Sequence, residues 1–389
     1  MSVYLDHAAT TPLRPEARAA WLSAQEIVGN ASSVHGDGQA ARRLLEESRE
    51  RIAAVLGCDP IEVVLTSGGT ESVNLAVKGL WWARRPESGD LVLPDGEHHA
   101  TLDAVEWLRT AQGARVRPVA LHPTGAVDVT AFATALPGAA LATALVANNE
   151  VGTISDAPAL AASAADAGVP LHLDAVGAAG VIAVDFARWR AAARGPGGLV
   201  ALSVSGHKVG APVGTGALVV SRHASISALV HGGGQQRGLR SGTQDVAGAA
   251  AFAAALSAAE ASRESEAARL SALRRRLAEG IAAVVPVAEV LGDRESRLPG
   301  NLHVHLPGVV GETLLFLLDQ DGVSVSTGSA CQAGIAEPSH VVMALGRDER
   351  VARSVLRLTL GRTSTDADVD QFLEVLPAAH ARAAAAAAR

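Results

Sequence analysis

Leu202-Ser203-Val204-Ser205-Gly206-His207-Lys208-Val209-Gly210 is the stretch on which the reading of this chain turns. An apolar run beginning at Leu199 ends in a polar turn, and the chain continues through Ala211-Pro212 to a second apolar run, Gly216–Val220. Short apolar runs bounded by glycine and polar residues read as buried strands. Lys208 follows such a strand directly, where its side chain can point into a cleft. The chain holds 33 lysines and arginines together, yet only Lys78 and Lys208 are lysines. A lysine kept amid that bias suits a task arginine cannot perform. An ammonium can lose its proton and form a Schiff base with a carbonyl, whereas a guanidinium stays protonated. The competing reading is a plain surface charge.

Upstream, the same strand-then-turn pattern recurs. Glu62–Thr66 reads as a strand that ends in Ser67-Gly68-Gly69-Thr70-Glu71-Ser72, with a helix from Val73 to about Ala83. A glycine turn opening a helix leaves backbone N–H groups free to receive an anion such as a phosphate, and the alternative is an ordinary helix cap. Leu91–Pro94 leads into Glu97-His98-His99, which places His98 where open α/β sheets bind ligands. Leu141–Ala147 ends in Asn148-Asn149-Glu150-Val151-Gly152. Pro170-Leu171-His172-Leu173-Asp174 ends in a carboxylate that is costly to bury without a partner. Strands alternating with helices predict a mostly parallel sheet covered on both faces.

Downstream, the glycine-rich segment His231–Thr243 is too polar for a core. A helical tract from about Asp245 to Ala283 changes the composition, and strands over Asn301–Leu306, Gly322–Ser326 and Ser354–Leu360 predict a smaller α+β lobe. The opening turn Leu5–Pro12 also reads as too polar for core, and the alanine-rich tail from Ala378 as a fraying helix end. A chain of 389 residues is long enough for two lobes. The expected division is a large domain over 14–257 and a small one formed by 1–13 with 258–389. A net charge of −7 gives no basic field for nucleic acid or anionic lipid. No apolar run reaches a membrane span, and the start lacks a secretory layout, so the expected location is cytoplasmic. The two cysteines form no disulfide framework and no zinc spacing, so no metal is expected. Cys58 follows a helix in a turn and reads as a bland, half-buried residue. Cys331 lies in the small-residue loop Ser326–Gly334, where free thiols are more often reactive.

One lysine, one aspartate, one histidine, an anion-binding turn and a loop thiol together match what pyridoxal phosphate needs. The sequence resembles the cysteine desulfurases, pyridoxal-phosphate enzymes of fold type I within the class V aminotransferases. The resemblance runs along almost the whole chain and rests on Leu5–Pro12, Gly68–Ser72, Asn148–Gly152, Ser205–Lys208, Arg240-Ser241-Gly242-Thr243 and Gly328-Ser329-Ala330-Cys331. It implies that Lys208 holds the cofactor's aldehyde and later moves protons. It implies Asp174 on the pyridine nitrogen, and His98 stacked on the ring with an acid or base role. Gly69, Thr70, Ser205, His207 and Thr243 would hold the phosphate, with Thr243 coming from the partner subunit of a homodimer. Asn149 would reach the ring hydroxyl and the substrate carboxylate, and Arg357 would grip that carboxylate. For Arg357 a strand-edge salt bridge is the alternative. Cys331 would take the sulfur of L-cysteine as a persulfide, leaving alanine. The loop running to Glu337-Pro338-Ser339-His340 resembles the long-loop branch, which hands sulfur to acceptor or scaffold proteins for iron–sulfur assembly or tRNA thiolation.

One departure stands out. Where the family places a glutamine three residues after the aspartate, this chain has Gly177. Losing a buried polar partner there costs about 1–3 kcal/mol unless a neighbour replaces it. A selenocysteine lyase, and a degenerate dimeric paralogue acting as a binding partner, remain alternatives.

Overall fold

The computed structural model describes residues 2–85, 87–193, 195–328 and 337–388. The elements in chain order are β1 (Val3–Tyr4), α1 (Pro15–Ala24), α2 (Gly36–Leu56), β2 (Val63–Thr66), α3 (Gly69–Trp82), β3 (Asp90–Pro94), α4 (His99–Gln112), β4 (Arg115–Val119), α5 (Val129–Ala135), β5 (Leu141–Leu145), α6 (Ala157–Asp166), β6 (Pro170–Asp174), α7 (Phe186–Trp189), β7 (Gly198–Ser205) and β8 (Gly216–Val220). The second half continues with α8 (Val246–Val284), β9 (Glu289–Leu291), β10 (Asn301–His305), α9 (Gly311–Gln320), β11 (Val323–Ser324), α10 (His340–Ala344), α11 (Glu349–Ala352), β12 (Val355–Thr359) and α12 (Asp366–Ala387).

Among the described residues the main sheet has seven strands in the order β2-β8-β7-β6-β5-β3-β4. The pairs from β7 across to β4 are all parallel. The strand β8 is antiparallel to both β7 and β2. A strand antiparallel to two neighbours makes those neighbours parallel to each other. The carboxyl ends of β2, β3, β5, β6 and β7 therefore share one edge, where ligands bind in open α/β sheets. Every residue of β5 and β7 is buried, as expected of central strands covered on both faces. Only about ten residues join β7 to β8, too few for a parallel crossover, so the return is antiparallel.

Two large apolar clusters divide the interior. One gathers around the main sheet and includes Phe132, Phe186 and Phe252. The other surrounds the β12-β10-β9 sheet and includes Val3, Leu5, Leu314 and Phe372. Helix α8 serves both. Ala247 through Leu256 are all buried, since small side chains let α1 and α2 approach closely. Farther along, only one stripe (Leu270, Leu273, Leu277, Ile281) is buried, the pattern of an amphipathic helix.

Three expectations are corrected. The opening turn is not wholly outside the core: Leu5 is fully buried and His7 nearly so. Its backbone explains this, because the Leu5 N–H donates to Ser324 O at 2.9 Å and its carbonyl accepts from the Thr359 N–H at 2.7 Å. Helix α3 begins at Gly69 rather than Val73. The alanine-rich tail does not fray from Ala378: Ala379 and Ala383 are fully buried and extend the stripe of Val369, Phe372 and Leu376 to the helix end near Ala387. Among the described residues, no helix is long and apolar enough to cross a membrane, and no group of three or more His, Cys, Asp or Glu could hold a metal ion.

Candidate active site

The shared edge of strand ends opens into a cavity of about 560 Å³. It is lined by Gly69, Thr70, His98, Asn149, Asp174, Ser205, His207, Lys208 and Arg357, so nine residues picked from separate stretches of sequence meet in one place. Thr243 is exposed and does not line the cavity. Its segment is nonetheless anchored beside it, through the Arg240 Nε–Glu71 Oε1 ion pair of 3.0 Å at the start of α3. Cys331 lies outside the described residues.

Lys208 ends the tight turn that follows β7. Its ammonium donates to the carbonyl oxygens of Ala8 and Ala9, the latter at 3.0 Å. Burial, helped by the Arg357 guanidinium, lowers its pKa to about 8, against the opposing pull of Asp6 and Asp174. The N-terminal turn is thus the cradle of the lysine, a role that its polar composition did not reveal.

Asp174 is the last residue of β6 and is almost fully buried. Its Oδ1 accepts the Val176 N–H at 2.9 Å. Burial raises its pKa to about 6, offset in part by that hydrogen bond and by Lys208. A carboxylate so placed is an unmet demand for a cation.

At the start of α3, Gly68 has φ of 145°, a backbone conformation that side-chain-bearing residues rarely adopt, and no side chain among the described residues caps the helix. Facing it, Ser205 Oγ is buried with no hydrogen-bond partner among the described residues. His207 Nδ1 lies 3.3 Å from Thr10 Oγ1. An uncapped helix N-terminus with an idle buried hydroxyl is the arrangement that receives an anion.

His98 caps α4, its Nδ1 accepting the Ala100 N–H at 3.0 Å. Its accessible surface is open while protein surrounds most of the ring, as fits a ring on a cleft wall. Burial, and then the Lys208 charge, push its pKa down, so the ring is neutral.

Asn148 and Asn149 divide their work. Asn148 Oδ1 accepts the N–H groups of Glu150 and Val151 at 2.9 and 3.0 Å and so fixes the turn. Asn149 Oδ1 is buried with no hydrogen-bond partner among the described residues. The Asn149 carbonyl accepts from Arg357 Nη1 at 3.0 Å. Arg357, on β12, also pairs through Nη2 with Asp6 Oδ1 at 2.9 Å, and its Nε is another buried, unpartnered atom among the described residues. Arg357 therefore forms the salt bridge that was the alternative reading, while its Nε is left without a partner among the described residues. Gly177 lines the cavity too, and among the described residues a Cβ there would meet only Ala147 O, at 3.7 Å.

Sequence reasoning missed a buried network beside this cavity. Glu150 is 1% exposed, and its Oε2 accepts from Ser339 Oγ at 2.5 Å. Glu97, equally buried, accepts the Leu145 N–H at 2.7 Å, and burial raises its pKa to about 8. Each lies a few residues past an apolar strand, Glu97 after β3 and Glu150 after β5, and a carboxyl on that edge was the available signal.

The comparisons with known proteins cover nearly the whole chain. A family model described as aminotransferase class-V matches residues 3–372. An IscS-like cysteine desulfurase of Mycobacterium tuberculosis is 49% identical over 391 residues, covering 99% of this chain and 98% of that relative. A cysteine desulfurase of Gluconacetobacter diazotrophicus is 39% identical, covering 97% of this chain and 92% of its own length. Among solved structures, a NifS-like protein superposes with a TM-score of 0.89 at 31% identity, over 97% of this chain and 99% of its own. SspA in complex with cysteine gives a TM-score of 0.78 at 28% identity, over 92% of this chain and 99% of its own.

Proposed function

The chain belongs to the class V aminotransferases, and within them to the pyridoxal-phosphate-dependent cysteine desulfurases, and from that premise we propose how its cavity takes sulfur from L-cysteine. The residues fit the cofactor. The idle Ser205 Oγ, the uncapped start of α3, the cation-seeking Asp174 and the lysine with a lowered pKa face one cavity. Ser205, Gly69, Thr70 and His207 would hold the phosphate, with Thr243 supplied by the partner subunit of a homodimer. Asp174 would pair with the ring nitrogen, His98 would stack on the ring, Asn149 would reach the ring hydroxyl, and Lys208 would hold the aldehyde. When bound, pyridoxal phosphate supplies a carbonyl for the substrate's amino group and a ring that draws electrons from the bonds at Cα.

The protein's own groups do the rest. Arg357 and Asn149 orient the substrate by its carboxylate, through Arg357 Nε and the amide of Asn149. Lys208, with its pKa near 8, carries a proton to and from the substrate's carbon atoms at neutral pH. The Cys331 thiolate attacks the substrate's sulfur. One S–S bond forms, the C–S bond breaks with its electron pair left on carbon, and the sulfur stays on Cys331 as a persulfide while alanine leaves. Delivery to a protein acceptor, for iron–sulfur assembly or tRNA thiolation, and a cytoplasmic location complete the proposal. So does a division into a large domain over 14–257 and a small one formed by 1–13 with 258–389, which the separate apolar clusters support.

The observation that carries this reading is the meeting of Lys208, Asp174, His98 and Arg357 in one cavity. That convergence supports an enzyme over a binding paralogue. Borohydride treatment of the loaded protein tests it: the cofactor becomes fixed to the peptide containing Lys208. Absence of that adduct would favour the paralogue. A selenocysteine lyase is separated by comparing kcat/KM for the two amino acids, with cysteine expected to be the working substrate.

A further inference from the structure

We propose that His340 is a further catalytic residue, the base that takes the proton from the substrate's thiol. The inference rests on the reading of this cavity as the cysteine site.

His340 is the first residue of α10 and lines the cavity. Its Nε2 lies 2.9 Å from the carbonyl oxygen of Glu97. A carbonyl only accepts, so Nε2 carries the hydrogen, and the lone pair of the neutral ring sits on Nδ1. His98 is held in the complementary way. Its Nδ1 lone pair is used by the Ala100 N–H, so its own hydrogen is on Nε2, and its free edge is a donor. Lys208 donates to the carbonyls of Ala8 and Ala9. Of the described groups at this wall whose hydrogen bonds are fixed, His340 is the one left with an acceptor nitrogen.

The position is rigid. The His340 ring stands edge-on to His99 at 4.9 Å, and His99 stands 6.5 Å from His98, so three imidazoles run from the ring-stacking residue to the root of the segment carrying Cys331. Ser339, beside His340, caps α10 and donates to the buried Glu150 carboxylate. The charged and titratable groups around His340 are His98 and His99 at the start of α4, Glu97 before them, Glu150 after β5, and Arg357 on β12. Burial pushes the Glu150 carboxyl up from its ordinary range, while the Ser339 hydroxyl and a positive charge on His340 pull it the other way.

The step balances without a co-reactant. As the Cys331 thiolate bonds to the substrate's sulfur and the C–S pair passes to carbon, the S–H bond of cysteine breaks, its electron pair stays on the outer sulfur of the persulfide, and the proton moves to His340 Nδ1. A selenol is already ionised at neutral pH and needs no base, which gives the test. In the loaded enzyme, H340Q keeps a donor for the Glu97 carbonyl but has no basic nitrogen. Its kcat/KM for cysteine at pH 7 should fall about 100-fold, the usual contribution of a general base. Its kcat/KM for selenocysteine should change less than threefold. The deficit on cysteine should shrink as the pH approaches about 8.5, the ordinary thiol pKa. Added imidazole should partly restore cysteine turnover to H340A, which keeps the test open if H340Q folds poorly. Equal losses on both substrates, or no loss on cysteine, would overturn the proposal. A wild-type enzyme that makes no alanine from cysteine would instead sink the reading beneath it.

Discussion

Replacing Asp174 with asparagine should stabilise the cofactor-free protein while weakening its hold on the cofactor. In the empty cavity Asp174 is a buried carboxyl whose pKa rises from 3.8 to about 6 because burial outweighs its hydrogen bond from Val176 and the pull of Lys208. A shift of about two units corresponds to about 3 kcal/mol of unfavourable ionisation at neutral pH. The folded pKa is raised, so between pH 4 and 6 the folded state binds more protons than the unfolded one. The penalty is complete above about pH 6 and absent below about pH 4. Asparagine keeps an oxygen for the Val176 N–H and carries no charge to desolvate. Thermal unfolding of the two cofactor-free proteins at pH 7 should place D174N higher by about 3–4 °C, given about 2.1 cal/mol/K per residue of unfolding entropy. The gap should close as the pH falls through 6 towards 4. In the loaded protein the order should reverse, since asparagine cannot pair with a protonated ring nitrogen. A D174N protein less stable than wild type without cofactor, or a gain that ignores pH, would refute this account of the site.

Ser205→Ala should follow the same logic on a smaller scale: removing an idle buried hydroxyl leaves the cofactor-free protein unchanged or more stable, while cofactor titration shows about tenfold weaker binding from one lost hydrogen bond to a charged group. Gly177→Gln should fit, because only Ala147 O stands near the added Cβ, and should tighten cofactor binding about fivefold by equilibrium dialysis if its amide reaches the ring hydroxyl. Asp6→Asn should lower the KM for cysteine in steady-state assays, since Arg357 would no longer divide its guanidinium between Asp6 and the substrate. Cys58, whose thiol burial raises to about 12, should resist iodoacetamide at pH 7, so that peptide mapping finds Cys331 alkylated and Cys58 intact.

The strand ends were legible because each site residue breaks a local rule. A lysine, an aspartate and a histidine each follow an apolar run, where a buried polar group costs free energy unless it has work to do. The parallel sheet then brought those breaks together along one edge. What the sequence hid depends on partners far away along the chain. The Leu5–Pro12 turn is polar by composition, yet Leu5 lies between Ser324 and Thr359, more than 300 residues on, and Ala8 and Ala9 receive Lys208 through backbone carbonyls that no side-chain pattern betrays. The direction of β8 follows from a short connection that periodicity does not register. The Glu150–Ser339 bond and the His99–His340 contact likewise join segments about 190 and 240 residues apart.

In the proposed reaction Lys208 readies the substrate and Cys331 collects its sulfur. The decisive measurement is to incubate the loaded enzyme with sulfur-labelled L-cysteine, without an acceptor or reductant, and to map the label by mass spectrometry. One labelled sulfur atom is expected on the peptide containing Cys331, lost in C331A and in K208A. Label on Cys58, or sulfide released by C331A at the wild-type rate, would contradict it.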